Sequence, residues 1–64
     1  MTRIRWRKSA PPRDREIIGR WWHYDFRRYS LGERTRWDAE ANGWICGDGK
    51  IAPLAPDEWR EVEP

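Results

Sequence analysis

Apolar and polar residues alternate along much of this chain. From Thr2 to Lys8, Arg3, Arg5 and Arg7 fall on one side and Ile4 and Trp6 on the other. A period of two over that length predicts a half-buried strand. Pro11-Pro12 follows, and because neither residue can donate to a ladder it predicts a loop. Glu16 to Arg28 is longer, rich in Ile and aromatics, and predicts a second strand. Its even positions (Ile18, Arg20, Trp22, Tyr24, Phe26) are more apolar than its odd ones (Ile17, Gly19, Trp21, His23, Asp25), so the even face is expected to meet the core. Gly19 and the aromatic density argue against a helix here, and Gly19 is expected to mark a bulge or the close approach of another segment.

Further along, Ser30-Leu31-Gly32-Glu33 predicts a turn, and Arg34 to Ala39 alternates again with Thr35 and Trp37 opposite Arg34, Arg36 and Asp38. Asn42-Gly43 is a hairpin signal, since both residues tolerate positive φ. Trp44-Ile45-Cys46 reads as a short strand, Gly47-Asp48-Gly49 as a tight turn, and Lys50 to Leu54 as another extended piece ended by Pro53. Pro56-Asp57-Glu58-Trp59 starts either one helical turn or a last short strand through Val62. The fold class expected is all-β: a small antiparallel meander of four to five strands, as a twisted sheet or partly closed barrel. The expected core is Trp6, Trp22, Trp37, Trp44 and Trp59 with Ile4, Ile18, Tyr24 and Phe26.

Composition sharpens this picture. Six tryptophans in 64 residues, with 38% of the residues charged, leave few other ways to build a core. Each can remove ~150–250 Å² from water. The length suits one small domain over residues 1–64, of marginal stability. Cys46 is the only cysteine, so no internal disulfide forms, which fits a reducing compartment. No apolar run approaches the ~18 residues of a membrane span. The basic stretch from Met1 to Arg15 lacks the apolar segment of a secretory signal. A soluble cytoplasmic protein is expected.

The net charge of +2 conceals a division. Residues 1–36 carry eleven Lys/Arg against four acids, and residues 37–64 carry two against seven. Such asymmetry marks a nucleic-acid or acidic-protein surface, unless the acidic half neutralises the basic half within the fold or within a dimer.

The order of landmarks also carries a resemblance. Trp6 precedes Ala10-Pro11-Pro12-Arg13-Asp14 and Ile17-Ile18-Gly19-Arg20-Trp21. Arg36-Trp37-Asp38, Gly43-Trp44 and a tail from Pro56-Asp57-Glu58-Trp59 to Pro64 follow. This resembles a group of short phage and prophage proteins whose pattern is a Trp, Ala-Pro-Lys/Arg-Asp-Gly, a strand, a central Trp-Asp, a Gly-Trp and a closing Pro-Thr-His-Trp-Met-Pro-Leu-Pro. Here Arg15 stands in place of the Gly, Glu58 in place of the His, and Arg60-Glu61-Val62-Glu63 in place of Met-Pro-Leu-Pro. The resemblance implies a phage or integrated-element origin and a bacterial host cytoplasm, and it supplies no catalytic residues.

Candidate chemistry is sparse. Asp38, Glu40, Asn42 and Gly43 match the first half of a calcium loop, but Gly49 stands where a bidentate Glu is needed, so a hairpin turn is expected. Gly47-Asp48-Gly49-Lys50 lacks the earlier Gly and the Ser/Thr of a phosphate loop. His23 and Cys46 cannot close a zinc site alone and make a poor nucleophile pair. Acid pairs such as Asp25 with Glu16, or Asp57 with Glu58, need a cleft to become catalytic. No enzyme activity, cofactor or metal is expected.

The arginine stripes are the stronger signal. With the even face inward, the opposite sheet face would carry Arg3, Arg5, Arg7, Trp21, His23, Arg34 and Arg36. That face suits phosphates and stacked bases, and equally an acidic protein, since Trp and Arg are enriched at interface hot spots. The expected function is a non-enzymatic phage or mobile-element accessory module, monomer or homodimer, that docks on a host protein and inhibits a defence or regulatory complex. Direct nucleic-acid binding by the basic face and self-assembly as a structural component are the alternatives.

Overall fold

Seven short strands and no helix make up residues 5–62, the part of the chain that the computed structural model describes. They are β1 (Ile17–Arg20), β2 (Trp22–His23), β3 (Arg28–Tyr29), β4 (Glu33–Asp38), β5 (Gly43–Cys46), β6 (Ile51–Ala52) and β7 (Glu58–Glu61). Five form one open sheet in the order β6-β5-β4-β1-β7, and β2-β3 form a separate two-stranded ribbon. All pairings are antiparallel. The sheet is therefore a meander through β1, β4, β5 and β6, with a hairpin excursion between β1 and β4. The last strand returns to the opposite edge beside β1. The all-β expectation holds, with the sheet remaining open instead of closing into a barrel.

Register assigns the faces, because residues directly opposite each other project to the same side. Ile17 is level with Thr35 and Glu61, Thr35 with Cys46, Gly19 with Trp59, Trp37 with Trp44, and Trp44 with Ala52. These residues define one face, where Ile17, Trp44 and Trp59 form the buried core and Trp21, Trp37 and Ala52 pack against it. Two proline-containing loops lie over it. In the first, the Ser9 carbonyl accepts the Trp59 indole N–H at 3.0 Å, and the Arg13 guanidinium lies 4.1 Å from the Trp37 ring centroid. In the second, the Leu54 carbonyl accepts the Trp21 indole N–H at 3.1 Å, and buried Pro56 presses on Gly19. Buried Thr35 is satisfied by donating to the Glu33 carbonyl at 2.9 Å.

The other face carries Ile18, Arg20, Arg34, Arg36, Ile45, Ile51 and Arg60 by the same pairing. Trp6 and Ile18 both approach Gly32 here. The expected first strand reduces to a single bridge, Arg7 with Trp59, closed by reciprocal backbone hydrogen bonds of 2.8 and 3.0 Å. It adds one rung outside β7. The Thr2 to Ile4 part of that expectation lies outside the described residues.

The long strand expected over Glu16 to Arg28 is corrected. It is β1, a corner at Trp21, and the β2–β3 hairpin. The Trp21 N–H donates to Ser30 Oγ at 2.9 Å and the Ser30 N–H donates to the Trp21 carbonyl at 2.7 Å, which closes the hairpin base. The core face of β1 is the odd one: Ile17 is fully buried, and Ile18 only half so. The apolar even positions Tyr24 and Phe26, counted toward the sheet core, lie in the hairpin loop and are 84% and 68% exposed. Trp6, Trp22 and Ile18 are half-buried outside the main cluster, and Ile4 lies outside the described residues. The segment from Pro56 resolves as strand β7.

Candidate functional site

Where the arginines go decides how much of the charge is free to act. Six guanidinium–ring contacts occur: Arg7 on Trp59, Arg13 on Trp37, Arg20 on both Trp6 and Tyr29, Arg28 on Phe26, and Arg60 on Trp6. Such contacts ordinarily occur about once per 70–80 residues, so arginine here is a structural residue that lids the tryptophans. The acidic strand β7 takes up further cations. Arg15 grips Glu61 through two hydrogen bonds of 2.9 and 2.6 Å, with Arg7 4.0 Å away. Arg20 holds buried Glu58, with Lys8 at 3.9 Å. Hydrogen bonding from Arg15, reinforced by the Arg15 and Arg7 charges, holds the Glu61 carboxyl below its ordinary range. Glu58 and Glu61 of the acidic half thus engage four cations of the basic half, Arg7, Lys8, Arg15 and Arg20.

The seven residues expected to share one basic face are dispersed. Arg3 lies outside the described residues. Arg5 is exposed in the N-terminal segment. Arg7 lies over Trp59 on the core side of the sheet. Trp21 packs against the core, opposite to its expected orientation. His23 sits on β2, exposed on the ribbon. Only Arg34 and Arg36 share a face as expected, and Arg34 is 3.2 Å from Glu16.

The structure draws attention instead to the β2–β3 hairpin. Trp22 pairs with Tyr29 and His23 with Arg28, leaving the loop Tyr24-Asp25-Phe26-Arg27, with Arg27 at φ 53°. Trp22 is anchored by its backbone N–H, which donates to Asp57 at 2.6 Å, and by edge contacts to the Tyr29 and Tyr24 rings. Tyr29 in turn stacks on Arg20, which ties the ribbon to the sheet. Burial beside the Glu58 carboxylate pushes the Tyr29 hydroxyl pKa up. Tyr24 and Phe26 in the loop, and Leu31 just past the Ser30 base, remain exposed, Leu31 at 91%. His23, Phe26, Arg28, Tyr29, Ser30 and Leu31 line a concavity of about 400 Å³. Exposed aromatic side chains next to arginine have the composition of a binding hot spot. Sequence reasoning named only His23 among these residues and missed the rest, because the aromatics Tyr24 and Phe26 looked like the interior of a strand.

His23 and Cys46 lie on different sheets. Burial, with Glu33 and Asp48 nearby, pushes the Cys46 thiol up, away from a reactive thiolate. Among the described residues no cluster of three or more His, Cys, Asp or Glu is placed to hold a metal ion, and no helix is long and apolar enough to cross a membrane. No family, curated protein or solved structure matches the chain.

Proposed function

We propose that the protein is a non-enzymatic binding module that docks on a partner protein through the β2–β3 hairpin. One observation carries this reading: Phe26 in the hairpin loop and Leu31 just past its base stay exposed around one concavity, with Tyr24 exposed in the same loop, on a ribbon whose base is anchored. Leaving three large apolar side chains in water forgoes roughly 1.5–3 kcal/mol each, a loss that a partner surface recovers on binding. With the phage or prophage origin that the resemblance implies, the partner is a bacterial host protein, bound stoichiometrically. Direct nucleic-acid binding through the expected basic face has less support, because Arg7 and Trp21 are committed to contacts within the fold.

The test compares affinity capture by the native chain and by a Tyr24→Ser, Phe26→Ser, Leu31→Ser variant. A partner retained by the first and lost by the second is expected, with the variant still unfolding cooperatively and its thermal midpoint lowered only by the lost Trp22–Tyr24 and Arg28–Phe26 contacts. Equal recovery by both chains would move the interface elsewhere. Quenching of Trp fluorescence by nucleic acid that weakens steeply with salt would favour the phosphate reading.

A further inference from the structure

The hairpin concavity restricts what a partner can present, and the inference that follows rests on the docking role proposed above. We propose that the concavity receives one apolar side chain from an acidic segment of the partner protein, whose neighbouring carboxylates are bound by Arg28 and Arg27. At about 400 Å³ the space is near the small end of ligand sites, which run ~300–1,000 Å³. It has room for a side chain and not for a packed element. Phe26, Tyr29 and Leu31 supply apolar walls, and His23 and Arg28 supply polar groups at the same opening.

Charge selects the flanking residues. Glu58, Glu61 and Glu16 are held by Arg20, Arg15 and Arg34 on the sheet, and Asp57 is used by the Trp22 N–H. Among the described residues, no carboxylate lies within salt-bridge distance of Arg27 or Arg28. Arg28 leans over Phe26 at 5.4 Å, which keeps its N–H groups beside the apolar wall. Arg27 adds a second argument. Two loops, Tyr24 to Arg27 and Ala39 to Asn42, end on a left-handed residue, whereas in Gly47 to Lys50 that conformation falls on Gly49. Asn suits that backbone at Asn42, whereas at Arg27 the turn itself favours Asn or Gly. The turn therefore does not account for an arginine at this position. Single-stranded nucleic acid would also meet rings and arginines, but Leu31 offers no stacking face, so a protein segment is the better match.

Selection of a random peptide display library on the full chain tests this. Selected peptides should carry Asp or Glu beside an aromatic or aliphatic residue. A synthetic copy of the best one should lose about tenfold in affinity on Arg28→Gln or Phe26→Ser. Arg27→Asn should weaken binding severalfold while the thermal midpoint stays the same or rises. Selected peptides that lack acids yet are lost on Phe26→Ser would overturn the acidic chemistry and leave the docking role standing. Peptides indifferent to all three variants, or no selected peptide, would overturn both. Displacement of the peptide by homopolymeric single-stranded DNA at physiological salt would assign the surface to nucleic acid and overturn the proposal.

Discussion

Arg20 on β1 holds Glu58 on β7 across the sheet, its Nε donating to Oε1 at 2.8 Å and its Nη2 donating to the same oxygen. The guanidinium lies 4.1 Å from the centroids of both Trp6 and Tyr29. One side chain therefore neutralises a buried carboxylate, supports the N-terminal Trp6 and secures the hairpin. Arg20→Ala strands Glu58 and should cost ~3–5 kcal/mol, comparable to the whole stability of a small domain. Arg20→Lys keeps the charge but loses the planar stack and should cost about 1–2 kcal/mol. Urea unfolding checks both values. Adding Glu58→Gln to Arg20→Met should recover much of the loss, and a double variant no more stable than Arg20→Ala would show that Arg20 acts through packing alone.

Trp44 and Trp37 face each other across β4 and β5 with ring centroids 5.5 Å apart, yet they differ in depth. Trp44 is 2% exposed, whereas Trp37 is half-buried with its outer ring covered by Arg13. Trp44→Ala should cost ~3–5 kcal/mol and unfold much of the population. Trp37→Ala should cost roughly half as much, because part of its surface already meets water. Thermal melts of the two variants give the order directly, and the reverse order would displace the core from β5.

How much of this was legible depended on whether a local rule survived its tertiary setting. β4 was readable because Arg34, Thr35, Arg36 and Trp37 alternate within one strand of one sheet. The Asn42 turn was readable because its residue type matches its φ of 52°. The hairpin from Trp22 to Tyr29 was not, since its loop contains no glycine and turns on Arg27, so the aromatics leading into and forming the loop read as a continuing strand. Counting them together then reversed the core face of β1. Gly43 was legible as special but for another reason than its turn: a Cβ there would sit 2.7 Å from Ile51 Cγ2. The candidate site was almost invisible, because exposed aromatics and buried ones share the same letters.

Acid stability should rest partly on Glu61. Its folded-state carboxyl is held below the ordinary range by hydrogen bonds from Arg15. A depressed carboxyl contributes stability above its unfolded pKa, and that contribution is lost as pH falls through the folded pKa. Glu61→Gln should therefore lower stability at neutral pH and flatten its decline on the acid side, the two chains converging at low pH. The contribution should shrink with added salt, since the pair is solvent-accessible. Denaturation midpoints across pH at two salt concentrations measure it, and parallel curves for the two chains would remove Glu61 from the acid response.

Gly19 tests the packing of the second proline loop. A Cβ at this position would lie 2.9 Å from Pro56 Cβ, 3.0 Å from Pro56 Cγ and 3.4 Å from Thr35 Oγ1. Two effects oppose each other in Gly19→Ala. Removing a glycine from a strand gains roughly 0.5–1 kcal/mol by restricting the unfolded chain. Overpacking against a buried ring that cannot rotate away costs ~1–3 kcal/mol, so net destabilisation is expected. The clash belongs to Pro56, and the two sites should therefore couple. In a Pro56→Gly background, Gly19→Ala should become neutral or stabilising even though that background starts less stable. An equal cost of Gly19→Ala in both backgrounds would place the constraint in the β1 backbone and not in the loop that covers it.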